Sequence, residues 1–341
     1  MIIFGRILCW PFAFAGALML LLAQFFGAAY PGAVFLGAAP QLALVAVVIA
    51  AVAILFRVSA TASVVSMIAA GFVALSIKPG PLADTIVAKE IPANKIPANG
   101  NKADVITADK GAPGQSAEAS PQQSDVVVIW SNVAAKEASV KETIQLAYDR
   151  QADLVVIGEY PMSKLGSGDY MGYPYVAGRS ADGSSAIAVF SKHPILSPAP
   201  IVSEETWGRQ PLAFSVEIDG RLLSVGAAHP LTPLSSRGLR HREGHLRAVF
   251  DRAKTATETR RLIVGDFNMP AWDPQLHDMA AKAKMARISL GGQATWRSKS
   301  RLFGLPIDHA FIDNTGEANL EIGPDTGSDH FPLIVTLSMA E

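Results

Sequence analysis

The first 77 residues restrict the fold of this chain more than any other feature, because they carry almost no charge. Between Met1 and Ile77 the only charged side chains are Arg6 and Arg57. The surface of a soluble domain contains far more charged residues than this. We predict three transmembrane helices, at about residues 7–29, 34–56 and 58–77, because about 20 apolar residues in a helix cross the ~30 Å hydrocarbon core of a membrane.

The two arginines indicate an orientation for these helices. If the amino terminus is cytoplasmic, Arg6 and Arg57 both lie on the cytoplasmic side. This agrees with the excess of basic residues that cytoplasmic loops carry. Three crossings then place the chain after Ile77 on the far side, so we expect a multi-pass protein of the inner (cytoplasmic) membrane with the part after Ile77 in the periplasm. Alternatively, the first segment is a cleaved signal peptide with a processing site at Gly27-Ala28-Ala29; the far-side placement then stays the same.

The composition changes after the apolar part. Residues 78–124 are rich in Pro, Ala, Asn, Lys and Gly, and they show no helical or strand periodicity. This composition is typical of a disordered tether, so we predict a flexible linker between the membrane anchor and a globular domain at 125–341. The single cysteine, Cys9, lies in the first apolar segment and excludes an intrachain disulfide.

The globular part combines short apolar strands with a few helices. The residues around Asp219-Gly220 have the pattern of a β-hairpin. Buried strands are predicted at 125–130, 153–158, 186–190, 262–264, 307–312 and 331–337, and helices at 136–150, 240–257 and 274–285. Strands mixed with helices in this order predict an α/β fold in which two sheets form a sandwich.

Polar residues gather at the ends of these predicted strands. Asn132, Glu159 and His229 each follow a strand, and Gly265-Asp266-Phe267-Asn268 follows the strand at 262–264. Asp-x-Asn after a strand is, by itself, more often a turn that satisfies backbone groups. Because side chains alternate along an extended segment, however, Asp266 and Asn268 project to the same side. Repetition of this pattern at several strand ends favours a site over a series of unrelated turns.

The order of these motifs resembles the endonuclease/exonuclease/phosphatase superfamily, which has the DNase I-like fold. The resemblance extends from about Asp125 to the C-terminus and includes two further motifs, Ile307-Asp308-His309 and Ser328-Asp329-His330-Phe331-Pro332. The sequence departs from the family after Gly158-Glu159, where many members carry a second polar residue. The tyrosine that several members use in the site has no assigned counterpart here.

The resemblance implies a divalent metal, usually Mg²⁺ or Mn²⁺, bound by Glu159 with Asn132 and Asp329 at or near it. The residue types agree, because oxygen ligands without a Cys/His cluster suit magnesium or manganese better than zinc. 

The same resemblance assigns roles to the other strand-end residues. His330 is expected to act as general base or to polarise the attacking water, and Asp308 to hold its other ring N–H. Asp266 would orient the water. Asn268 and His229 would donate to phosphoryl oxygens, and His229 could also protonate the leaving oxygen. His309 is expected to face away from the site, because neighbours on a strand point to opposite sides.

These observations predict a membrane-tethered Mg²⁺- or Mn²⁺-dependent hydrolase of phosphate esters, and within that class a phosphodiesterase. The substrate would be a nucleic acid or a lipid head group, the membrane would be contacted through the N-terminal helices, and no obligate protein partner is implied. From Ser124 onward the chain has 22 basic and 25 acidic side chains, which argues against a dedicated DNA-binding surface. A basic cluster between Arg237 and Arg247 is expected to be a solvated helix face or a phosphate-facing surface. The alternative from a different class is an inactive, membrane-anchored scaffold with the same fold.

Overall fold

The computed structural model describes Val48, residues 85–87 and residues 125–339, with gaps at 162–164, 166–169, 180–185, 207, 257–259, 290–292, 297–303 and 314. The three predicted membrane spans lie outside the described residues apart from Val48, and the predicted linker does so apart from 85–87. In the part of the chain that is described, no helix combines the length and apolar character needed to cross a membrane.

The globular part consists of two mixed β-sheets with helices on their outer faces. The strands are β1 (Thr85–Val87), β2 (Asp125–Asn132), β3 (Leu154–Tyr160), β4 (Tyr175–Arg179), β5 (Ala186–Ser191), β6 (Ile195–Pro200), β7 (Leu212–Ile218), β8 (Arg221–Ala228), β9 (Arg260–Asp266), β10 (Met285–Ser289), β11 (Asp308–Asp313), β12 (Ala318–Ile322) and β13 (Leu333–Ser338). The helices are α1 (Glu137–Asp149), α2 (Ser236–Thr255) and α3 (Pro274–Ala283), with a short 3₁₀ helix at Glu204–Thr206.

One sheet has the strand order β12-β13-β2-β3-β5-β4, and the other β1-β10-β11-β9-β8-β7-β6. Side-chain alternation divides each strand between two apolar layers. Val128 and Trp130 of β2 pack between the sheets together with Val264 of β9, whereas Ile129 packs on the outer face with Ala147 of α1. Helices α2 and α3 cover the outer face of the second sheet. This arrangement confirms the predicted two-sheet α/β sandwich.

The helix ends follow ordinary capping chemistry. Ser235 precedes α2 and its Oγ accepts a hydrogen bond from the backbone N–H of Gly238 at 3.0 Å. Asp273 caps α3 in the same way through Gln275, and Pro274 occupies the first helical position, where no N–H is needed. These caps fix the beginning of α2 directly after the segment that follows β8.

Most elements predicted from the sequence are present, and β7 and β8 form the hairpin predicted around Asp219-Gly220. Strands β4, β6, β10 and β12 were not predicted. β6 contains Pro198 and Pro200 and is mostly exposed at the edge of its sheet, where proline is tolerated because the outer N–H groups are not paired. β1 lies within the predicted linker and pairs in parallel with β10.

Candidate active site

Two parallel strand pairs bring the polar strand ends together. In the first sheet β2 and β3 pair in parallel, with Asn132 opposite Gly158, so that Asn132 lies next to Glu159. In the second sheet β8 and β9 pair in parallel, with Ala228 opposite Gly265. The following residues, His229 and Asp266, therefore emerge side by side. Both sheets thus contribute polar side chains to one end of the sandwich.

Asn132 connects the two sheets at this end. Its Nδ2 lies 3.3 Å from Glu159 Oε1 in its own sheet and 3.2 Å from Asp266 Oδ2 in the other. Its Oδ1 accepts a hydrogen bond from the backbone N–H of Ala134 at 3.0 Å. Asn132 is buried, so these bonds fix the amide between the two carboxylates.

Glu159 is held at an irregular position in β3. The register with β5 shifts between Gly158 and Tyr160, and Glu159 has a φ angle of 53° in the left-handed region. Such a conformation is uncommon for a glutamate and is typical of functional sites. Its side chain is 30% exposed, so the carboxylate is open to solvent as well as to Asn132.

His229 is buried against both carboxylates. Its Nε2 lies 3.4 Å from Glu159 Oε1 and 3.6 Å from Asp266 Oδ2. Among the described residues its Nδ1 has no hydrogen-bond partner. Burial, helped by the nearby charge of Arg209, lowers the pKa of His229 to about 3. The ring is therefore neutral, and a proton on Nε2 would face the two carboxylates.

His330 and Asp308 form a hydrogen-bonded pair. His330 Nδ1 lies 2.8 Å from Asp308 Oδ2, and the indole Nε1 of Trp130 donates to Asp308 Oδ1 at 2.9 Å. Although burial raises the pKa of Asp308, the His330 charge and these hydrogen bonds bring it below its usual value. Burial lowers the pKa of His330, but the charges of Asp308 and Asp266 outweigh this effect and raise it to about 10.

Asp266 lies between the His330 pair and Asn132. β9 and β11 place it opposite Asp308, and its Oδ2 is 3.7 Å from His330 Nε2. Its Oδ1 accepts the backbone N–H of Asn268 at 2.9 Å. Burial, opposed by the His330 charge and reinforced by Asp308, raises the pKa of Asp266 to about 7. Asp266 can therefore exchange a proton near neutral pH.

Two of the predicted site residues, Asn268 and Asp329, lie at the edge of the site. Asn268 adopts a φ of 48°, and its Nδ2 donates to the carbonyl of Pro230 at 3.2 Å. Asp329 is exposed, and its carboxylate accepts from the indole of Trp296 at 3.1 Å. Asn132, Glu159, His229, Asp266, Asp308 and His330 form the centre of the site. His309 faces the opposite side of β11, where its Nε2 contacts the Met269 carbonyl at 2.8 Å.

Several supporting residues had no role assigned to them from the sequence patterns. Trp130 holds Asp308, and Ser328 links two site residues by donating to the Asn132 carbonyl at 2.6 Å and accepting the His330 N–H at 3.2 Å. Arg242 donates to the Asn268 carbonyl at 2.9 Å. His245 accepts the backbone N–H of His229 at 3.2 Å.

The positions of these supporting residues in the sequence partly indicate that they lie near the site. Ser328 adjoins Asp329-His330, and Arg242 and His245 lie in the basic cluster of α2. That cluster divides between two faces: Arg237, Arg240 and Arg247 are exposed, whereas Arg242 and His245 are buried. The spacing of three residues between Arg242 and His245 places both on the inner face of α2.

The side chains at this end fit a hard divalent cation. Glu159 contacts Asn132 and the neutral ring of His229, and among the described residues no lysine or arginine neutralises its carboxylate. Glu159 supplies carboxylate oxygens of the kind that magnesium and manganese prefer, and Asn132 presents its Nδ2 to this carboxylate and to Asp266. A second group of ligand atoms, from Asp266, Asp308 and His330, lies within 4.8 Å of one another and could also hold a cation.

Comparison with known proteins places this geometry in a family. The sequence pattern of the Endonuclease/Exonuclease/phosphatase family matches residues 129–330. The chain belongs to this family, and membership supports the hydrolysis of phosphate esters in general. A comparison with curated proteins gives no match.

Solved structures with similar coordinates show the shared fold. An AP endonuclease from Archaeoglobus fulgidus is 12% identical, with a TM-score of 0.50 over 62% of this chain and 99% of that chain. A 3'-5' exonuclease (NExo) from Neisseria meningitidis is 15% identical, with a TM-score of 0.51 over 62% and 99%. Humanized D. rerio TDP2 is 18% identical, with a TM-score of 0.50 over 62% and 98%.

Proposed function

We propose that this chain is a membrane-tethered, Mg²⁺- or Mn²⁺-dependent hydrolase that cleaves phosphodiesters. One observation carries the proposal: polar side chains from both sheets converge at one end of the sandwich. The residues that converge are Asn132, Glu159, His229, Asp266, Asp308 and His330. Burying several ionisable groups together costs stability, and clusters of this kind are typical of functional sites.

Glu159 would hold the metal, with Asn132 beside it. A bound Mg²⁺ or Mn²⁺ would offset charge on the phosphoryl oxygens and polarise the ester. We favour this position over the Asp308 side, because both oxygens of Asp308 already accept hydrogen bonds, from Trp130 and His330. A metal role for Asp329 stays a prediction, since its carboxylate accepts from Trp296.

The 3.7 Å separation between His330 Nε2 and Asp266 Oδ2 allows a reacting water or phosphoryl oxygen to contact both side chains. It is too long for a direct hydrogen bond, and a water or a phosphoryl oxygen can bridge a gap of this size. Because its pKa is near 7, Asp266 is matched to accept the proton of an attacking water. The charged ring of His330, held by Asp308, would donate to the phosphoryl oxygen and stabilise the charge that develops there.

His229 would act as a neutral donor in this scheme. Burial keeps its ring uncharged at neutral pH, so we propose that it orients a phosphoryl oxygen through Nε2–H and does not deliver a proton to the leaving group. Asn268 would contribute mainly through its backbone N–H, which positions Asp266, while its side chain holds the Pro230 carbonyl.

A substrate panel tests this proposal. The full-length chain in detergent is assayed with Mg²⁺, Mn²⁺ or EDTA against bis-p-nitrophenyl phosphate, p-nitrophenyl phosphate, DNA, RNA and phospholipid head-group esters. We expect metal-dependent cleavage of at least one diester, lost in EDTA and in Glu159→Gln. Metal-independent rates, or no turnover of any ester, would favour the inactive scaffold instead.

The proposed membrane tether is supported by the apolar residues 1–77 and by Arg6 and Arg57. It would place the catalytic domain in the periplasm and confine it near the membrane, which would suit a lipid head-group ester. A reporter enzyme that is active only in the periplasm, fused after Glu341, is expected to be active. Activity of a cytoplasm-only reporter at the same position would contradict this placement.

A further inference from the structure

An open cavity lies where α2 begins, beside the segment that follows β8. Its volume is about 370 Å³. Among the described residues it is lined by Arg209, Leu231, Thr232, Ser235, Arg237 and Gly238. Two of these residues are arginines, two carry hydroxyl groups and none is acidic. This lining offers positive charge and hydrogen-bond donors to an anion.

The segment His229–Ser235 connects the cavity to the active site. His229 contacts Glu159 and Asp266, whereas Leu231 and Thr232 line the cavity. Two residues of extended chain span at most ~7 Å, so the cavity adjoins the reacting groups. The segment is fixed, because the Pro230 carbonyl accepts from Asn268 Nδ2 at 3.2 Å and the Leu231 N–H lies 3.3 Å from His241 Nδ1.

His245 gives a second rigid connection between the cavity and the site. Its Nε2 accepts the backbone N–H of His229 at 3.2 Å, so its proton must be on Nδ1, which lies 3.1 Å from the Arg209 carbonyl. One buried ring therefore ties the backbone of Arg209 to that of His229. After burial, the Arg209 charge is the strongest influence lowering the pKa of His229.

The Arg209 guanidinium has no hydrogen-bond or ion-pair partner among the residues that the structure describes. Arginine groups that lie beside a reaction centre and lack a carboxylate partner are suited to bind phosphate oxygens. The first turn of α2 adds partial positive charge. Gly238 allows this turn to approach closely, since a Cβ there would lie 2.5 Å from the Thr232 carbonyl oxygen.

We propose that this cavity binds a second, non-reacting phosphate group of the substrate. The proposal rests on the proposed function, because the first phosphate would be the ester cleaved at His229, Asp266 and His330. It narrows the substrate to esters that carry two phosphate groups a short distance apart. Arg209 provides the main contact, and the hydroxyls of Thr232 and Ser235 provide neutral donors.

Binding measurements on the full-length chain in detergent with Mg²⁺ test the cavity without requiring turnover. Calorimetry compares ligands that differ by one phosphate: thymidine bisphosphate with thymidine monophosphate, and inositol bisphosphate with inositol monophosphate. We expect the second phosphate to tighten binding about tenfold, the value of one charge-assisted contact. If only the thymidine pair shows this difference in affinity, the bound phosphate belongs to a nucleotide; if only the inositol pair shows it, the phosphate belongs to a lipid head group.

Matched variants locate the effect. In Arg209→Gln the advantage of the second phosphate is expected to disappear while monophosphate affinity stays within about twofold. Arg240→Gln, an exposed arginine of α2 that does not line the cavity, should keep the advantage. Thr232→Glu is a second variant, because it places a carboxylate in the cavity and should weaken bisphosphate binding. Equal affinity of both ligands for the native protein, or an undiminished advantage in Arg209→Gln and Thr232→Glu, would overturn the proposal.

The single-phosphate ester bis-p-nitrophenyl phosphate separates this proposal from the proposed function. The native chain should cleave it with metal although the cavity is not filled, and Arg240→Gln should do so at a rate within about twofold of the native chain. Failure of the native chain to cleave any ester would remove the proposed function, and the calorimetric comparison would still decide whether the cavity binds phosphate.

Discussion

At the residue scale, the state of His330 is set by the two carboxylates beside it. Asp308 fixes the orientation of the ring through Nδ1, and Trp130 fixes Asp308 in turn. Asp308 and Asp266 together favour the charged ring and raise the pKa of His330. The proposed roles, with His330 as hydrogen-bond donor and Asp266 as proton acceptor, follow from this difference between the two groups.

Replacing His330 by alanine should nearly abolish turnover. The change removes the donor to the phosphoryl oxygen, and one positioned group of this kind contributes ~10²–10⁴ in rate. The measurement is kcat/KM with a diester and metal, together with a thermal melt to establish folding. His193→Ala is the matched control, because His193 pairs with Asp153 at 3.1 Å away from the site. Retention of more than about a tenth of the activity in His330→Ala would contradict the assignment.

At the element scale, the end of β3 is bent to present Glu159. The register shift and the φ of 53° interrupt the strand at this residue. Gly158 accommodates the bend next to Trp130, since a Cβ at this position would lie 2.7 Å from the indole ring. A left-handed conformation costs ~1–2 kcal/mol for an ordinary residue, so the strand carries local strain at the proposed metal ligand.

Replacing Glu159 by asparagine should separate stability from activity. Asparagine adopts the left-handed region more readily than glutamate or glutamine, so Glu159→Asn should be as stable as the native chain or up to ~1 kcal/mol more stable. Activity should fall at least about a hundredfold, because the proposed metal carboxylate is lost. Urea denaturation and kcat/KM provide the two readouts. Glu159→Gln keeps the strain and is the comparison; a lower stability of the asparagine variant than of the glutamine variant would show that strain is absent.

At the scale of the whole molecule, buried neutral histidines make the fold sensitive to acid. His309 packs against Phe267 and Phe311 and contacts the Met269 carbonyl. Burial lowers its pKa from 6.5 to about 3. Between these values the unfolded chain binds a proton that the folded chain does not, so stability falls as the pH drops below 6.5. Above pH 6.5 the His309 ring is neutral in both the folded and the unfolded chain, so this loss of stability does not occur.

Replacing His309 by glutamine should reduce this acid sensitivity. Glutamine keeps an N–H donor for the Met269 carbonyl but does not titrate. From pH 7 to pH 5 the native chain should lose on the order of 1–2 kcal/mol more unfolding free energy than His309→Gln, since one pKa unit corresponds to ~1.36 kcal/mol. Urea denaturation at both pH values measures this, with His193→Gln, at a partly exposed position, as control. Equal losses in the native chain and His309→Gln would contradict the prediction.

Local patterns were sufficient to predict much of the sandwich. Buried strands such as β2, β3 and β9 each contain a continuous apolar run, and Asp219-Gly220 marks the hairpin. The edge strands were missed because short exposed segments such as β6, with two prolines, lack an apolar period. The mixed character of α2 was also hidden, because a run of arginines and histidines gives no indication of which members the tertiary packing buries.

The amino-acid pattern alone predicts the apolar N-terminal part, the order of the strands that carry polar ends, and the residue types suited to a hard metal and a phosphate ester. Which atoms meet is known only from the folded chain: Trp130 with Asp308, Asn132 between Glu159 and Asp266, and His245 between His229 and Arg209. Strand periodicity acts over a few neighbouring residues, whereas these contacts depend on sheet register and on the packing of two sheets, which join residues up to 178 positions apart.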